Sequence, residues 1–346
     1  MKILVRAVNW VGDAVMMAPA LTDLKECLPD AEITILANSA SAQVLDGHPA
    51  ITEIIPFSPL EGESQIRRDT RIARELKERK FDISIIFPLT SYRAVIVPWL
   101  ARIPHRIGYK YHFREIFLTD SYDQLPPATH LTKVYRSLVG YATGHTVKSK
   151  PRFTFALGPD DLNFSEQFFR ENKIDTDEKI IGIIPGAAYG PAKRWPLENY
   201  LQFIEEVIPE FKMLILWGHG EEILTHVIAN NAVAAGFSLR KQSHARNRVL
   251  IPPPCTLKQL GALISRCWVV VGNDTGPLHI AAALNIPVVA LFGPTDPLRS
   301  RPLTPDSKIL YSNPECGPCY KRCCRDLRCL KDITVDQVLN EVRKIV

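Results

Sequence analysis

Trp268-Val269-Val270-Val271-Gly272-Asn273-Asp274-Thr275-Gly276-Pro277-Leu278-His279 runs a short, continuous β-branched stretch straight into a turn of small and polar residues. The β-branched stretch reads as a strand buried on both faces, the kind that parallel sheets contain. Behind the turn, the apolar residues 280–284 begin a helix that Asn285-Ile286-Pro287 stops. A strand that ends in such a turn and opens a helix offers unpaired backbone N–H groups and a positive dipole end, which together bind anions. A diphosphate fits that description. Thr275 and His279 add side-chain donors, with His279 one helical turn on and on the same face. The same residues also suit a plain N-cap by Asp274 or Thr275, with His279 merely packed.

The grammar of strand, turn and helix repeats outward in both directions. Strands are expected over 3–8, 33–37, 83–87 and 104–108, and again over 180–184, 213–217 and 288–292. Met17, Leu21, Leu24 and Leu28, at spacings of four, three and four, mark an amphipathic helix. Further helices are expected over 65–80, 197–208, 221–230 and 335–346. Between them, 146–178 is polar, charged and Pro-containing, and reads as the linker region. Strands alternating with helices imply parallel sheets with right-handed crossovers. The fold class is therefore α/β, with two Rossmann-like lobes expected to face a central cleft. The expected division is 1–160, 161–332 with a Cys-rich segment at 316–329, and a final helix at 333–346.

At 346 residues the chain has room for two cores, and 46% apolar with 23% charged residues is ordinary for a soluble protein. No apolar run approaches the roughly 20 residues of a membrane span. The sequence opens directly into a strand without a signal peptide, so a cytoplasmic location is expected. A net charge of +5 is too weak to imply nucleic acid, and suits an acidic small molecule or an anionic membrane surface. After the first strand stands Trp10-Val11-Gly12-Asp13 rather than G-x-G-x-x-G, which disfavours a dinucleotide dehydrogenase.

Several residues are placed to carry chemistry. Asp13 lies where strand one gives way to helix one, at the sheet edge where ligands bind, and suits a general base or a helix cap. The loop Pro185-Gly186-Ala187-Ala188-Tyr189-Gly190-Pro191-Ala192-Lys193-Arg194-Trp195-Pro196 lets backbone approach a ligand closely, and Lys193 can neutralise a departing diphosphate. It follows a strand of the same lobe as Asp274-Thr275-Gly276, so both should share one sheet edge. Glu221 or Glu222, after Trp217-Gly218, is a candidate for ribose hydroxyls or a first-turn glutamate. Arg67, Arg71 and Arg74 share a helix face. They are expected, with Arg102, Arg106, Lys110 and Arg114, to be mostly solvated; Arg93, just past a strand, is the candidate for an acidic acceptor. Cys316, Cys319, Cys323, Cys324 and Cys329 crowd into one segment. In a reducing compartment they suit structural zinc, reduced thiols, or redox and iron–sulfur use.

Taken together, these segments resemble the bacterial heptosyltransferases of glycosyltransferase family 9, over nearly the whole chain. Asn9-Trp10-Val11-Gly12-Asp13, the 185–196 loop, Asn273-Asp274-Thr275-Gly276 with His279, and Phe292-Gly293-Pro294-Thr295-Asp296-Pro297 carry the resemblance. The first two look more like the heptosyltransferase II branch than the heptosyltransferase I branch. The resemblance implies a GT-B fold and inverting, metal-independent transfer of L-glycero-D-manno-heptose from ADP-heptose to the heptose of the lipopolysaccharide inner core. It implies Asp13 as catalytic base and Lys193 as the group stabilising the diphosphate. Gly186, Glu221 or Glu222, Asp274, Thr275, Gly276 and His279 would meet the donor, and Asn9, Trp10, Gly12 and Arg93 the acceptor. It implies no catalytic cofactor, and a last helix that crosses back to the first lobe. The implied partners are ADP-heptose and a lipid-linked core acceptor at the cytoplasmic face of the inner membrane, without nucleic acid. Cys316, Cys319, Cys324 and Cys329 match an insert of some members and are the candidate zinc ligands; Cys323 is extra. Alternatives are heptosyltransferase I or III, a GT-B sugar-nucleotide epimerase, or a nucleotide-sugar-binding regulator.

Overall fold

The computed structural model describes residues 1–147, 149–218, 220–222, 227–228 and 248–346, and divides the chain into two units, Met1–Ala156 and Leu157–Val346. In the first unit β1 (Lys2–Arg6), α1 (Val11–Cys27), β2 (Glu32–Ala37), α2 (Ser39–Leu45), β3 (Glu53–Pro56) and α3 (Gln65–Arg79) come in order. They are followed by β4 (Ile83–Ile86), α4 (Tyr92–Leu100), β5 (His105–Tyr109), β6 (Asp120–Tyr122) and α5 (Leu131–Thr143). A 3-10 turn, Arg114–Phe117, lies between β5 and β6. The strands form a parallel sheet in the order β3-β2-β1-β4-β5-β6. Leu4, Leu36, Ile72, Leu76 and Val97 pack α3 and α4 onto it. The Arg136 guanidinium grips both oxygens of the buried Asp23 carboxylate at 2.5 and 3.1 Å, tying α5 to α1.

In the second unit the order is α6 (Pro159–Glu171), β7 (Ile180–Ile184), α7 (Leu197–Val207), β8 (Lys212–Ile215), β9 (Val249–Leu250), α8 (Leu257–Ile264) and β10 (Val269–Asn273). Then come α9 (Gly276–Ala283), β11 (Val288–Phe292), α10 (Pro297–Ser300), β12 (Ser307–Tyr311), α11 (Arg328–Lys331) and α12 (Val335–Arg343). The second sheet is also parallel, in the order β12-β11-β10-β7-β8-β9. Counted from its own first strand, that is the order of the first sheet. In each, the strand order reverses between the first and fourth strands, β1/β4 and β7/β10. Open α/β sheets bind ligands at that crevice, outside the carboxyl ends of the strands.

Three expectations change. The 146–178 stretch contains α6, hidden by its polar composition because only Ser165, Phe168 and Phe169 are buried. The helix of the opening motif starts at Gly276, ahead of the apolar residues that announced it. The last helix, expected to cross to the first lobe, places Val335, Val338, Leu339 and Val342 in the second unit's core with Phe203, Val271 and Leu291. That stripe recurs at helical spacing, and a Thr334/Gln337 capping box starts it. The expected helix over 221–230 falls largely outside the described residues.

Candidate active site

Asn273 closes β10 and is wholly buried. Its side-chain amide donates to the Pro185 and Gly186 carbonyls at 2.9 and 3.2 Å, and its oxygen accepts from Trp195 N–H at 2.9 Å. One side chain thus fastens both ends of the 185–196 loop to the end of the neighbouring strand. Trp195 is further held by its indole N–H, which donates to the Ile333 carbonyl at 2.9 Å, and by an edge contact with Tyr200 at 5.0 Å. The sequence inference that this loop and the 272–279 turn share an edge therefore has a specific cause.

Asp274, the next residue, is the hub. Lys193 Nζ stands 2.5 Å from its Oδ2 and 3.2 Å from its carbonyl, and Thr295 Oγ1 donates to Oδ2 at 2.7 Å. His279 Nε2 lies 3.7 Å from Oδ1. Burial pushes the Asp274 carboxyl up, but the Lys193 and His279 charges and hydrogen bonds outweigh it and hold the group well below the usual carboxylate range. Asp274 is therefore an internal counter-ion that organises a lysine and a histidine. It does not cap α9. Thr275 occupies the N-cap position without making a side-chain cap bond, and its hydroxyl is buried with no partner among the described residues. The plain-cap alternative thus lacks its defining hydrogen bond. Pro277 removes one N–H from the first turn, leaving the amides of Gly276 and Leu278 as the natural donors.

Gly186 and Glu221 are matched by shape. A Cβ on Gly186 would come within 2.0 Å of the Glu221 carboxylate, so only glycine leaves room for it. Glu221 Oε2 accepts from Gly218 N–H at 3.0 Å; burial pushes its carboxyl pKa up, partly opposed by that bond and by Arg194. Glu222 instead accepts from Gly220 N–H at 3.3 Å. Of the two sequence candidates, Glu221 lies against the 185–196 loop.

In the first unit, Asp13 is in the first turn of α1, while Trp10, with no side-chain cap bond, is the N-cap. Asn9 accepts from Arg6 Nη2 at 3.0 Å, and its carbonyl accepts from the Asn38 amide at 3.0 Å. Gly12 adjoins Asp13 in the same turn, and Arg93 is exposed in the first turn of α4. Asp13 follows β1 and Arg93 follows β4, so both belong to the reversal point of the first sheet. The solvated-face expectation fails at Arg114, which is fully buried. Its Nη1 donates to the Pro88 carbonyl at 2.7 Å, while Nε and Nη2 have no partner among the described residues. Arg106 is taken up in backbone contacts to Ile103 and Phe117. Arg71 pairs with Glu63 at 2.9 Å.

The cysteine-rich segment docks on the same site. Tyr320 N–H donates to the Pro294 carbonyl at 2.8 Å, and Tyr189 O–H donates to the Tyr320 carbonyl at 2.6 Å. Ala192 N–H donates to the Arg322 carbonyl at 3.1 Å, which lies so near Gly190 that a Cβ there would stand 2.5 Å from it. The Lys193 ammonium and Arg322 guanidinium lie 5.0 and 5.3 Å from the Tyr189 ring centroid. All the cysteines are free thiols. Burial and the neighbouring Cys316, Cys319 and Cys324 push the Cys329 thiol up, whereas backbone N–H groups of Leu327 and Asp326 lower that of Cys324. Among the described residues, no three His, Cys, Asp or Glu side chains form a group that could hold a metal ion. The expected zinc ligands, Cys316, Cys319, Cys324 and Cys329, are thus not gathered into such a group; Cys316 and Cys324 are exposed and Cys329 is buried. Among the described residues no helix is long and apolar enough to cross a membrane.

The model of Glycosyltransferase family 9 (heptosyltransferase) matches residues 69–329. Lipopolysaccharide heptosyltransferase 2 of Salmonella typhimurium is 30% identical over 318 residues, covering 90% of this chain and 88% of that protein. The solved structure of Escherichia coli ADP-heptose lps heptosyltransferase II superposes with a TM-score of 0.79 at 25% identity, covering 100% of this chain and 98% of the other. A family 9 glycosyl transferase from Veillonella parvula gives a TM-score of 0.83 at 21% identity over 99% and 96% of the two chains, a likeness of fold alone. The two parallel six-stranded sheets match these GT-B enzymes. With a family match across most of its length and a relative of that identity and coverage, this chain belongs to glycosyltransferase family 9, the heptosyltransferases.

Proposed function

We propose that this chain is a heptosyltransferase II, moving L-glycero-D-manno-heptose from ADP-heptose to the heptose of the lipopolysaccharide inner core, with inversion and without a catalytic metal. The observation that carries the donor side is the convergence, at the β7/β10 reversal point, of Lys193, the unspent Thr275 hydroxyl and the start of α9. That set answers the charge of a leaving diphosphate. Glu221, seated against Gly186, is the group offered to the donor ribose.

In the proposed step Asp13 takes the proton of an acceptor hydroxyl as the oxygen attacks the anomeric carbon. The bond to the diphosphate oxygen breaks, and its electron pair leaves with ADP. Lys193 and the α9 N-terminus stabilise the developing charge, an effect of about 3 kcal/mol for a single well-placed donor. Asn9, Trp10, Gly12 and Arg93 belong to the acceptor side. The lipid-linked acceptor makes the chain a peripheral protein of the cytoplasmic face of the inner membrane.

The test is ADP release from ADP-heptose with two acceptors, Kdo2-lipid A and the same molecule already carrying one heptose. Turnover only with the heptosylated acceptor is expected. Turnover only with bare Kdo2-lipid A would make the chain a heptosyltransferase I. Turnover with neither would point to a later core acceptor, and UDP-sugar isomerisation without acceptor to an epimerase.

A further inference from the structure

The connections after β4 and β5 carry an apolar face that the site does not use. Tyr92, Ile96 and Trp99 line one side of α4 at spacings of four and three, with Leu100 beside them. Phe113 and Ile116, three apart across the adjoining 3-10 turn and therefore on one side of it, are 80% and 71% exposed. The two connections form one surface, because Trp99 meets Phe117 edge-on at 5.3 Å and Tyr92 meets Tyr111 at 6.5 Å. Large apolar side chains gathered this way on a water-exposed surface mark an interaction site.

Charge indicates the partner. Residues 88–117 hold five Lys or Arg and one Glu; Lys110 is paired with Asp123 at 2.8 Å, and Arg106 and Arg114 are turned to backbone carbonyls. Arg93 and Arg102 are exposed at the two ends of α4. Arg114, under the same surface, has two nitrogens without acceptors. Aromatic and aliphatic side chains beside clustered cations form the pattern of a protein that lies on an anionic bilayer. The start of α4 and the segment just after β5 leave the edge that carries Asp13 and the exposed Trp10, while Trp99, Leu100 and Arg102 lie toward the opposite edge, where the chain turns into β5.

We infer that this face of the first unit docks on an anionic phospholipid surface, with Trp99, Leu100, Phe113 and Ile116 entering the interfacial region and Arg102 meeting headgroups. The inference rests on the lipid-linked acceptor proposed above for its purpose: the Tyr92 and Tyr111 end of the docked face lies at the edge that carries Asp13. The binding itself is independent of acceptor and donor.

Flotation of the full chain with phosphatidylcholine vesicles, with and without phosphatidylglycerol, tests it in the absence of acceptor. Binding is expected only with phosphatidylglycerol. It should fall at least about tenfold in Phe113→Ser/Ile116→Ser, from the lost apolar burial, and weaken in Arg102→Glu and with added salt. ADP affinity, measured on the same variants, should not move. Failure of the wild type to float, or flotation indifferent to the double variant, overturns the assignment. So does a dimer in sedimentation that the double variant dissolves without any vesicle binding, which would make the face a contact between copies. Vesicle binding that follows the pattern in a chain inactive toward both core acceptors would instead retire the proposed reaction and leave the surface standing.

Discussion

Lys193 Nζ and Asp274 Oδ2 stand 2.5 Å apart, joining residues 81 positions distant in sequence on loops that leave neighbouring strands. The pair is nearly dry, and Thr295 and His279 complete the carboxylate's surroundings. Lys193→Met would strand a buried carboxylate, at a cost of about 3 kcal/mol in stability. ADP affinity should fall with it, by calorimetry. Because the folded Asp274 carboxyl is held low, the stabilisation is complete above its ordinary value near pH ~4 and is lost as the pH falls further toward the folded value. Thermal melts should show this acid limb in the wild type and lose it in Asp274→Asn. An identical acid limb in that variant would remove Asp274 from the account.

Gly186→Ala puts a methyl where the Glu221 carboxylate now lies. The carboxylate must leave, so the KM for ADP-heptose should rise about tenfold or more, while the melting temperature moves by only a few degrees. If KM stays put, Glu221 is not a donor contact. Glu221→Gln should then be equally silent.

Asp13 occupies the first turn of α1, where the dipole favours a carboxylate whether or not it reacts. Asp13→Asn keeps the shape and removes the base. A fall in kcat of about 10²–10⁴ with unchanged ADP affinity is expected. A lowered melting temperature with kcat preserved would identify a structural residue.

His48 offers a pH effect away from the site. Its Nδ1 accepts from Ala50 N–H at 3.2 Å and its Nε2 lies 3.4 Å from Thr22 Oγ1. Burial lowers it to about 4. The unfolded chain takes up the proton first, so stability is full above about pH 6.5 and declines as the pH falls toward 4, by up to about 3 kcal/mol. Melting curves across that window, compared with His48→Asn, should show the decline only in the wild type.

Where a run is continuous and punctuated, sequence alone located the element. Val288 to Phe292, five apolar residues between Pro287 and Gly293, coincides with β11. The polar helix α6 and the short β6 were not readable, because their buried stripes are too narrow to rise above their composition. The site was legible as separate motifs at the ends of the β7 and β10 strands. That Lys193 would be spent partly on Asp274 was not, since no local spacing joins them. Nor was the burial of Arg114, whose side chain runs beneath a surface that its neighbours in sequence leave exposed.

The hydrogen bonds that dock the cysteine-rich segment on the loops of the candidate site are made on the segment's side by main-chain atoms, the amide and carbonyl of Tyr320 and the carbonyl of Arg322, beside the Arg322 contact with the Tyr189 ring. Those hydrogen bonds do not depend on the side chains at 321 or 323. Substitution at Lys321 or Cys323 should pass unnoticed by the donor, whereas inserting or deleting one residue between 320 and 322 would shift the carbonyl that Ala192 needs and release the loops bearing Lys193 and Thr295 together. Loop length there, rather than composition, governs how firmly the candidate site keeps its shape.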